Sequence, residues 1–235
     1  MPVAVITGAS RGFGNVLAHA LATRGWNLVV DAREPTALAA AADEIRAHAG
    51  AVVAVAGDVS DPSHRTAVRE AVESLGGLDL LVNNASVLGP SPQPTLDRYP
   101  ADEIERVLRV NTVAPLALTQ LLLPRLVAAA GTVVNLSSDA AVEAYPGWGG
   151  YGASKAALDQ LTAVLAAEQP ALRVYAFDPG DMRTDLHQQA FPGEDISDRP
   201  PPEAIVPALL RLLDTSPPSG RYRAADLLTG AGPAR

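Results

Sequence analysis

Val3-Ala4-Val5-Ile6-Thr7-Gly8-Ala9-Ser10-Arg11-Gly12-Phe13-Gly14 is the stretch that sets the fold. Val3 to Thr7 reads as a short strand, and beyond the glycines Val16, Leu17, Ala20 and Leu21 line one side of a helix that ends near Gly25. A strand that enters a helix through glycines directs backbone N–H groups and the positive helix end at an anion, so the stretch reads as a phosphate cradle. The spacing is Gly-x-x-x-Gly-x-Gly, not the Gly-x-Gly-x-x-Gly common in dinucleotide folds. Three glycines alone would mean only a turn; the strand and helix on either side favour a cofactor.

Outward from this unit, strands and helices alternate. Leu28 to Val30 is expected as the second strand, Thr36 to Ala49 as an alanine-rich helix and Ala51 to Ala56 as the third strand. Asp61-Pro62 caps a helix that runs through Leu75, with Asp at the N-cap and Pro in the first turn. Leu78 to Val82 is the fourth strand, Leu88 to Pro100 a proline-rich loop, and Ala101 to Ala129 one long helix. Thr132 to Leu136 and Ala171 to Phe177 are buried strands, Glu203 to Leu213 a helix, and Gly220 to Asp226 a last strand. Six or seven such alternations predict an α/β fold: a three-layer, doubly wound parallel sheet in one domain spanning 1–235, with its sites at the strand carboxyl ends. The polar, Pro-, Gly- and Asp-rich run from Leu186 to Pro202 is expected to be a mobile substrate lid.

Composition bounds the function. With 235 residues, 48% of them hydrophobic, the chain can build a full core as one domain. It has no cysteine, which excludes disulfides and Cys-based metal sites. The histidines His19, His48, His64 and His187 lack ligand spacing and are expected on helix surfaces or in the loop, so no metal is expected. The formal charge of −8 argues against nucleic acid or an anionic membrane surface as partner. No signal peptide and no apolar run near the roughly 20 residues of a spanning helix are evident, so a cytoplasmic protein is expected.

The second decisive stretch is Tyr151-Gly152-Ala153-Ser154-Lys155, at the start of the apolar helical run Ala156, Ala157, Leu158, Leu161, Val164, Leu165. Residues four apart share a helix face, so phenol and ammonium can serve one site. Of 18 basic side chains 17 are Arg, and Lys155 is the one lysine. A compact ammonium beside a phenol is expected to stabilise phenolate and lower the phenol's pKa, making Tyr151 a proton donor and acceptor. The plainer reading is an exposed tyrosine and a solvated lysine; the nearby Ser137-Ser138, ending a buried strand, and Asn111 on the preceding helix weigh against it. Pro115 has no N–H to offer the carbonyl four residues back, so the Asn111 carbonyl is expected to be free; a plain proline kink is compatible with this.

Together with Thr7 to Gly14, these motifs resemble the short-chain dehydrogenase/reductase family from about Val3 to Leu186. The resemblance implies hydride transfer between a nicotinamide cofactor and a small carbonyl or secondary alcohol. It casts Tyr151 as acid/base, Ser138 as hydrogen-bond partner of the substrate oxygen, Lys155 as holder of the nicotinamide ribose, and the Asn111 carbonyl as anchor of a relay water. Cofactor contacts are implied for Gly8, Ser10, Arg11, Gly12, Phe13, Gly14, Asp58 at the adenine, Val59, Asn84, Ala85 and Ser86, where family members usually carry Gly. They are implied also for Pro179, Gly180, Met182 and Thr184 beside the carboxamide. The NAD-selecting acid of the family falls at Ala32, and Arg33 follows. Arg33 and Arg11 can clamp a 2′-phosphate, so NADP(H) is preferred, with NAD(H) possible because of Asp31.

Ser86, Val87, Asp139, Tyr145, Trp148, Asp181, Met182 and Leu186 are the pocket candidates. The Asp181 carboxylate would repel anionic substrates, so a neutral or cationic carbonyl compound is expected. The apolar run Leu116 to Val127 suggests a homodimer or homotetramer. Two other classes stay open: a catalytically quiet NAD(P)-sensing regulator, and an assembly subunit, which would leave the lone lysine unexplained.

Overall fold

A computed structural model describes residues 1–48 and 50–229. In chain order the elements are β1 (Val3–Ile6), α1 (Gly12–Thr23), β2 (Asn27–Ala32), α2 (Pro35–Arg46), β3 (Val52–Ala56), α3 (Pro62–Leu75) and β4 (Leu80–Asn83), followed by α4 (Ala101–Leu108), α5 (Ala114–Ala128) and β5 (Thr132–Leu136). After them come α6 (Gly149–Glu168), β6 (Arg173–Asp178), α7 (Asp185–Ala190), α8 (Pro202–Thr215), β7 (Gly220–Arg223) and α9 (Ala224–Thr229).

The strands form one seven-stranded sheet in the order β3-β2-β1-β4-β5-β6-β7, and each neighbouring pair is parallel. Val5 pairs with Val29 on one side and Leu81 on the other. Strand direction alternates side chains between faces, and β1 shows the result: Ala4 and Ile6 join one core with Leu17, Leu21 and Leu209 of α1 and α8, while Val3 and Val5 join the other with Val72, Leu118 and Leu122 of α3 and α5. With helices on both faces the strands read as continuous apolar runs. The chain order reverses between β1 and β4, so their carboxyl ends frame the crevice in which a sheet of this type binds its ligands.

Helix α3 obeys its local signals: the Asp61 carboxylate accepts the Ser63 N–H at 2.8 Å, Pro62 opens the first turn, and Gly76 closes the helix in the left-handed region. Elsewhere the structure departs from the sequence expectations. Helix α2 ends at Arg46; Ala49, expected as its last residue, lies outside the described residues. The expected single helix 101–129 is divided by a π turn at Arg109–Val113, where Ala114 N–H reaches back to the Arg109 carbonyl. The run Ala101–Ala128 is long and apolar enough to cross a membrane by length and composition, contrary to the expectation that no such run exists. It packs instead on the sheet through the fully buried Leu118, Leu122 and Leu126.

The expected lid opens with the short helix α7, because the Thr184 hydroxyl accepts the His187 N–H at 3.3 Å and starts a turn. The last strand stops at Arg223 and turns into α9. His64 and His187 are buried, not on the surface.

Candidate active site

Asn84, at the end of β4, places the glycine loop. Its amide donates to the Thr7 and Gly8 carbonyls at 2.8 and 3.1 Å, and its own N–H donates to the Thr7 hydroxyl at 2.9 Å. The Ala85 N–H shares that hydroxyl at 2.9 Å. This close approach explains two glycines. A Cβ on Gly8, which has φ +67°, would lie 2.9 Å from the Ala85 Cα, and one on Gly14 would lie 2.5 Å from the Asn84 amide nitrogen. Phe13 stacks on Phe177 in the core at 6.1 Å and Val59 is buried, so both offer a ligand only backbone.

The N-terminus of α1 carries no side-chain cap and no acidic residue in its first turn. Half-buried Ser10 and half-buried Gly12 precede it or begin it without obstruction beyond Thr184, whose methyl would sit 3.7 Å from a Gly12 Cβ. A cradle of backbone closed to any Cβ, leading to an uncapped helix start, fits a dinucleotide pyrophosphate.

Near the end of β2, Asp31 is 2% exposed. One of its oxygens accepts the Gly8 N–H at 2.9 Å and the other lies 3.3 Å from His64 Nε2. It is therefore committed beneath the loop and does not reach out towards a ribose, which removes the observation that had favoured NAD. Arg33 stands exposed at the end of β2, close enough to Asp58 to help hold its carboxyl low. Partial burial pushes the Asp58 carboxyl up, but the Ser60 N–H and hydroxyl, Arg33 and His64 outweigh it, and the group ends below its ordinary value. Arg11, expected to act with Arg33, is instead paired with Asp185 at the start of α7, at 2.7 Å.

In the reacting half, Tyr151 and Lys155 lie one turn apart on α6, 7% and 2% exposed, with Lys155 Nζ 5.5 Å from the centre of the Tyr151 ring. That ammonium donates to the Leu136 carbonyl at 2.7 Å, at the end of β5. Ser138 follows two residues on; its hydroxyl donates to Asp139 at 2.9 Å and accepts from the Ala140 N–H. The Asn111 side chain donates to the Val87 carbonyl and accepts from the Val87 N–H, both at 2.9 Å, and donates to the Ser154 hydroxyl at 3.0 Å. Ser154 in turn donates to the Tyr151 carbonyl at 2.6 Å. Asn111 thus ties the loop after β4 to α6 from within the π turn, a kind of bulge often found at functional sites.

The expected lowering of the Tyr151 pKa is not what the structure gives. Burial pushes the phenol up; the charges of Asp178 and Asp139 add to the rise, and the Ser86 and Ser138 hydroxyls offset only part of it. The Lys155 ammonium, 5.5 Å from the ring centre and bonded to the Leu136 carbonyl, does not outweigh this burial. Burial lowers Lys155 itself to about 8, with Asp159 working in the other direction. The Ser86 hydroxyl is buried and closes no hydrogen bond, although it lies near enough to the phenol to draw its pKa down.

Among the pocket candidates, Trp148 meets Tyr151 edge-on at 5.7 Å and Phe191 at 6.1 Å, and Leu186 packs beside Tyr151, Leu88 and Ala140. The Tyr145 hydroxyl donates to Asp139 and Glu143 at 3.1 and 2.8 Å. Asp181 is not the bare carboxylate expected: Arg199 lies 3.4 Å and His187 Nδ1 3.7 Å away. Gly180 takes φ +70° and its N–H donates to Asp178 at 3.0 Å, which shapes the turn with Pro179. Met182 packs on the core and Thr184 caps α7.

Ser154, Asp159, Arg221 and the pairing of Asp31 with His64 carry no role in the sequence reading. Asp159 had a signal, since it continues the four-residue series Tyr151, Lys155 on α6. Arg221 had none.

The family model for short chain dehydrogenases matches residues 2–195. The chain is 38% identical over 201 residues to the sepiapterin reductase of Meriones unguiculatus, covering 80% of this chain and 77% of that protein. Among solved structures it is similar to an alcohol dehydrogenase from Thermococcus sibiricus complexed with 5-hydroxy-NADP, with TM-score 0.86 and 28% identity over 95% of each chain. It is also similar to a short-chain dehydrogenase from Sphingobium yanoikuyae in complex with NADPH, with TM-score 0.83, 30% identity, and 98% of this chain and 93% of that one covered.

Proposed function

Because the chain belongs to the short-chain dehydrogenase/reductase family and is one of its oxidoreductases, we propose that it interconverts a carbonyl and a secondary alcohol with NADP(H), Tyr151 carrying the proton. The observation that carries this reading is the buried pair on α6: Tyr151 and the chain's one lysine, one turn apart, facing the strand end that bears Ser138.

The glycine loop and the start of α1 hold the pyrophosphate, Asp58 meets the adenine, and Arg33 takes the 2′-phosphate. Lys155 holds the nicotinamide ribose, and the Pro179-Gly180 turn with Met182 and Thr184 orients the carboxamide. The cofactor supplies or receives the hydride. Ser138 hydrogen-bonds the substrate oxygen. Tyr151, kept protonated by its burial, stands ready as the acid of carbonyl reduction. Asn111 anchors the water that continues the proton path from Lys155. The segment 186–202 covers the substrate.

Exposed Arg33 beyond β2 and the committed Asp31 support NADP over NAD. The homo-oligomer reading rests on the apolar run Leu116 to Val127, whose last residue is 41% exposed. We read it as a cytoplasmic protein.

The test follows absorbance at the nicotinamide band with NADPH and NADH against a panel of ketones, diketones and sepiapterin. Oxidation of NADPH with at least one carbonyl is expected. Tight NADPH binding without turnover on any carbonyl would leave a nucleotide-sensing protein.

A further inference from the structure

Arg221 is the second residue of β7, at the edge of the sheet, paired in register with Ala176 of β6. Its side chain crosses the end of β6 to reach three different segments. Nε donates to Asp159 of α6 at 3.0 Å; one terminal nitrogen donates to the Ser138 carbonyl at 2.9 Å and to Asp178 at 2.8 Å. The partners are placed in turn. Asp178 accepts the Gly180 N–H at 3.0 Å with its other oxygen, and Asp159 accepts the Ser137 hydroxyl at 2.8 Å. The side chains of Arg221, Asp159 and Asp178 are 26%, 15% and 4% exposed, so solvent screens these contacts little.

We propose that Arg221 is the positioning residue of the reaction centre, its one guanidinium fixing Ser138, the Pro179-Gly180 turn and the Lys155 helix relative to one another; the inference rests on the dehydrogenase reading of that site. Each of the three segments carries a different part of the chemistry: the substrate oxygen at Ser138, the carboxamide at Pro179-Gly180, the ammonium at Lys155. They come from β5, β6 and α6; the ladder itself ends where the Ser137 N–H donates to the Phe177 carbonyl at 2.8 Å, and Arg221 carries the link on to the Ser138 carbonyl. A planar fork with five donors can bridge two carboxylates and a carbonyl at once, whereas a single ammonium on a flexible stem cannot hold all three in fixed directions.

Charge follows the same geometry. Asp178 and Asp159 are two carboxylates at the back of the site, and Arg221 is the cation in contact with both. The groups around Lys155 are Tyr151 and Asp159 on its own helix, and the Leu136 carbonyl on β5; behind Asp159 lie Arg221 on β7, Asp178 on β6 and Asp139 after β5. Without the guanidinium, Lys155 would face an uncompensated Asp159. Burial pushes the Asp159 carboxyl up, and the Ser137 hydroxyl, Arg221 and Lys155 pull it down; with Arg221 gone, the Asp159 carboxylate is left to Lys155, whose titration moves up.

The experiment compares wild type, Arg221→Gln and Arg221→Lys as full chains at temperatures below each melting transition. Expected are a kcat for carbonyl reduction lower by about 10- to 100-fold in both variants, as misplacement of reacting groups by about an ångström costs, and a smaller loss of NADPH affinity, below about tenfold, because only the nicotinamide end is disturbed while the glycine loop lies across the sheet. Retention of charge without rescue by Lys marks geometry as the cause. A kcat within twofold of wild type in folded protein overturns the proposal, whatever the loss of melting temperature.

A second readout needs no turnover. With ε-¹³C-lysine the wild type and Arg221→Gln each give one side-chain resonance, from Lys155. Its midpoint is expected to rise by about one pH unit in Arg221→Gln; an unchanged midpoint overturns the coupling. If the wild type reduces no carbonyl, the catalytic reading fails while this titration still decides whether Arg221 acts on Lys155. If Arg221→Gln does not fold, the kcat of Arg221→Lys decides alone.

Discussion

The ammonium of Lys155 lies 5.5 Å from the centre of the Tyr151 ring yet donates its hydrogen bond to the Leu136 carbonyl. The two side chains share a face, and each is shifted by its own burial more than by the other. The proposed proton carrier and the buried cation can therefore be tested one at a time.

Tyr151→Phe removes the hydroxyl and keeps the ring that meets Trp148 edge-on. Carbonyl reduction is expected to fall by about 10²- to 10⁴-fold, the usual worth of a positioned proton donor. NADPH affinity, measured by nucleotide fluorescence, should stay within about twofold. Equal loss of binding and turnover would sink the assignment.

Lys155 carries a pH signature. Its native value of about 8 lies below the ordinary 10.5, so carbonyl reduction that needs the ammonium should decline as pH rises through about 8. Between those two values the unfolded chain holds a proton that the native chain has released, so stability rises with pH there; below pH 8 the full cost of burying the charge remains. Lys155→Met is then expected to abolish turnover while stabilising the fold at pH 7, by up to roughly 3 kcal/mol from the size of the shift. Urea melts at pH 7 and pH 10 check both, since the advantage of the variant should shrink at the higher pH.

Arg33 is the exposed cation assigned to the 2′-phosphate. Arg33→Ala should weaken NADPH by about 5- to 30-fold, the range of one charge-assisted contact, and leave NADH nearly unchanged. Titration of both nucleotides at low and moderate salt measures this. Equal weakening of the two would remove Arg33 from the phosphate.

Gly14→Ala must push the Asn84 amide or the Gly8 carbonyl, which lie 2.5 and 2.7 Å from the new Cβ. A loss of about 1–3 kcal/mol is expected from overpacking, together with at least tenfold weaker NADPH binding as the cradle opens. A thermal melt and a fluorescence titration report the two effects separately, and an unperturbed variant would contradict the tight seating of Asn84.

Most of the sheet was legible in the sequence because its signals are local. Val3 to Ile6 alternates between two cores, Asp61-Pro62 and Gly76 punctuate α3, and Tyr151 and Lys155 are neighbours by helix geometry alone. What stayed hidden depends on distance along the chain. The hydrophobic pattern of 101–129 is the same with or without the π turn that sets Asn111 against Val87. His64 reads as a surface residue until Asp31, on another element, is seen beside it. The roles of Arg221 and of the Arg11–Asp185 pair require strand ends and loops that only the folded sheet brings together. The direction of the Tyr151 shift is hidden for a related reason: sequence shows the nearby cation but not how completely the phenol loses water.

Asp31 has a consequence for redesign. The carboxylate at the end of β2 is anchored below the glycine loop by Gly8 and His64. An engineer who wanted the unphosphorylated coenzyme could not recruit it without loosening the floor of the binding crevice. On the proposed role of Arg33, the change would come from a new acid at Ala32 with Arg33 neutralised, leaving the buried carboxylate–imidazole pair untouched.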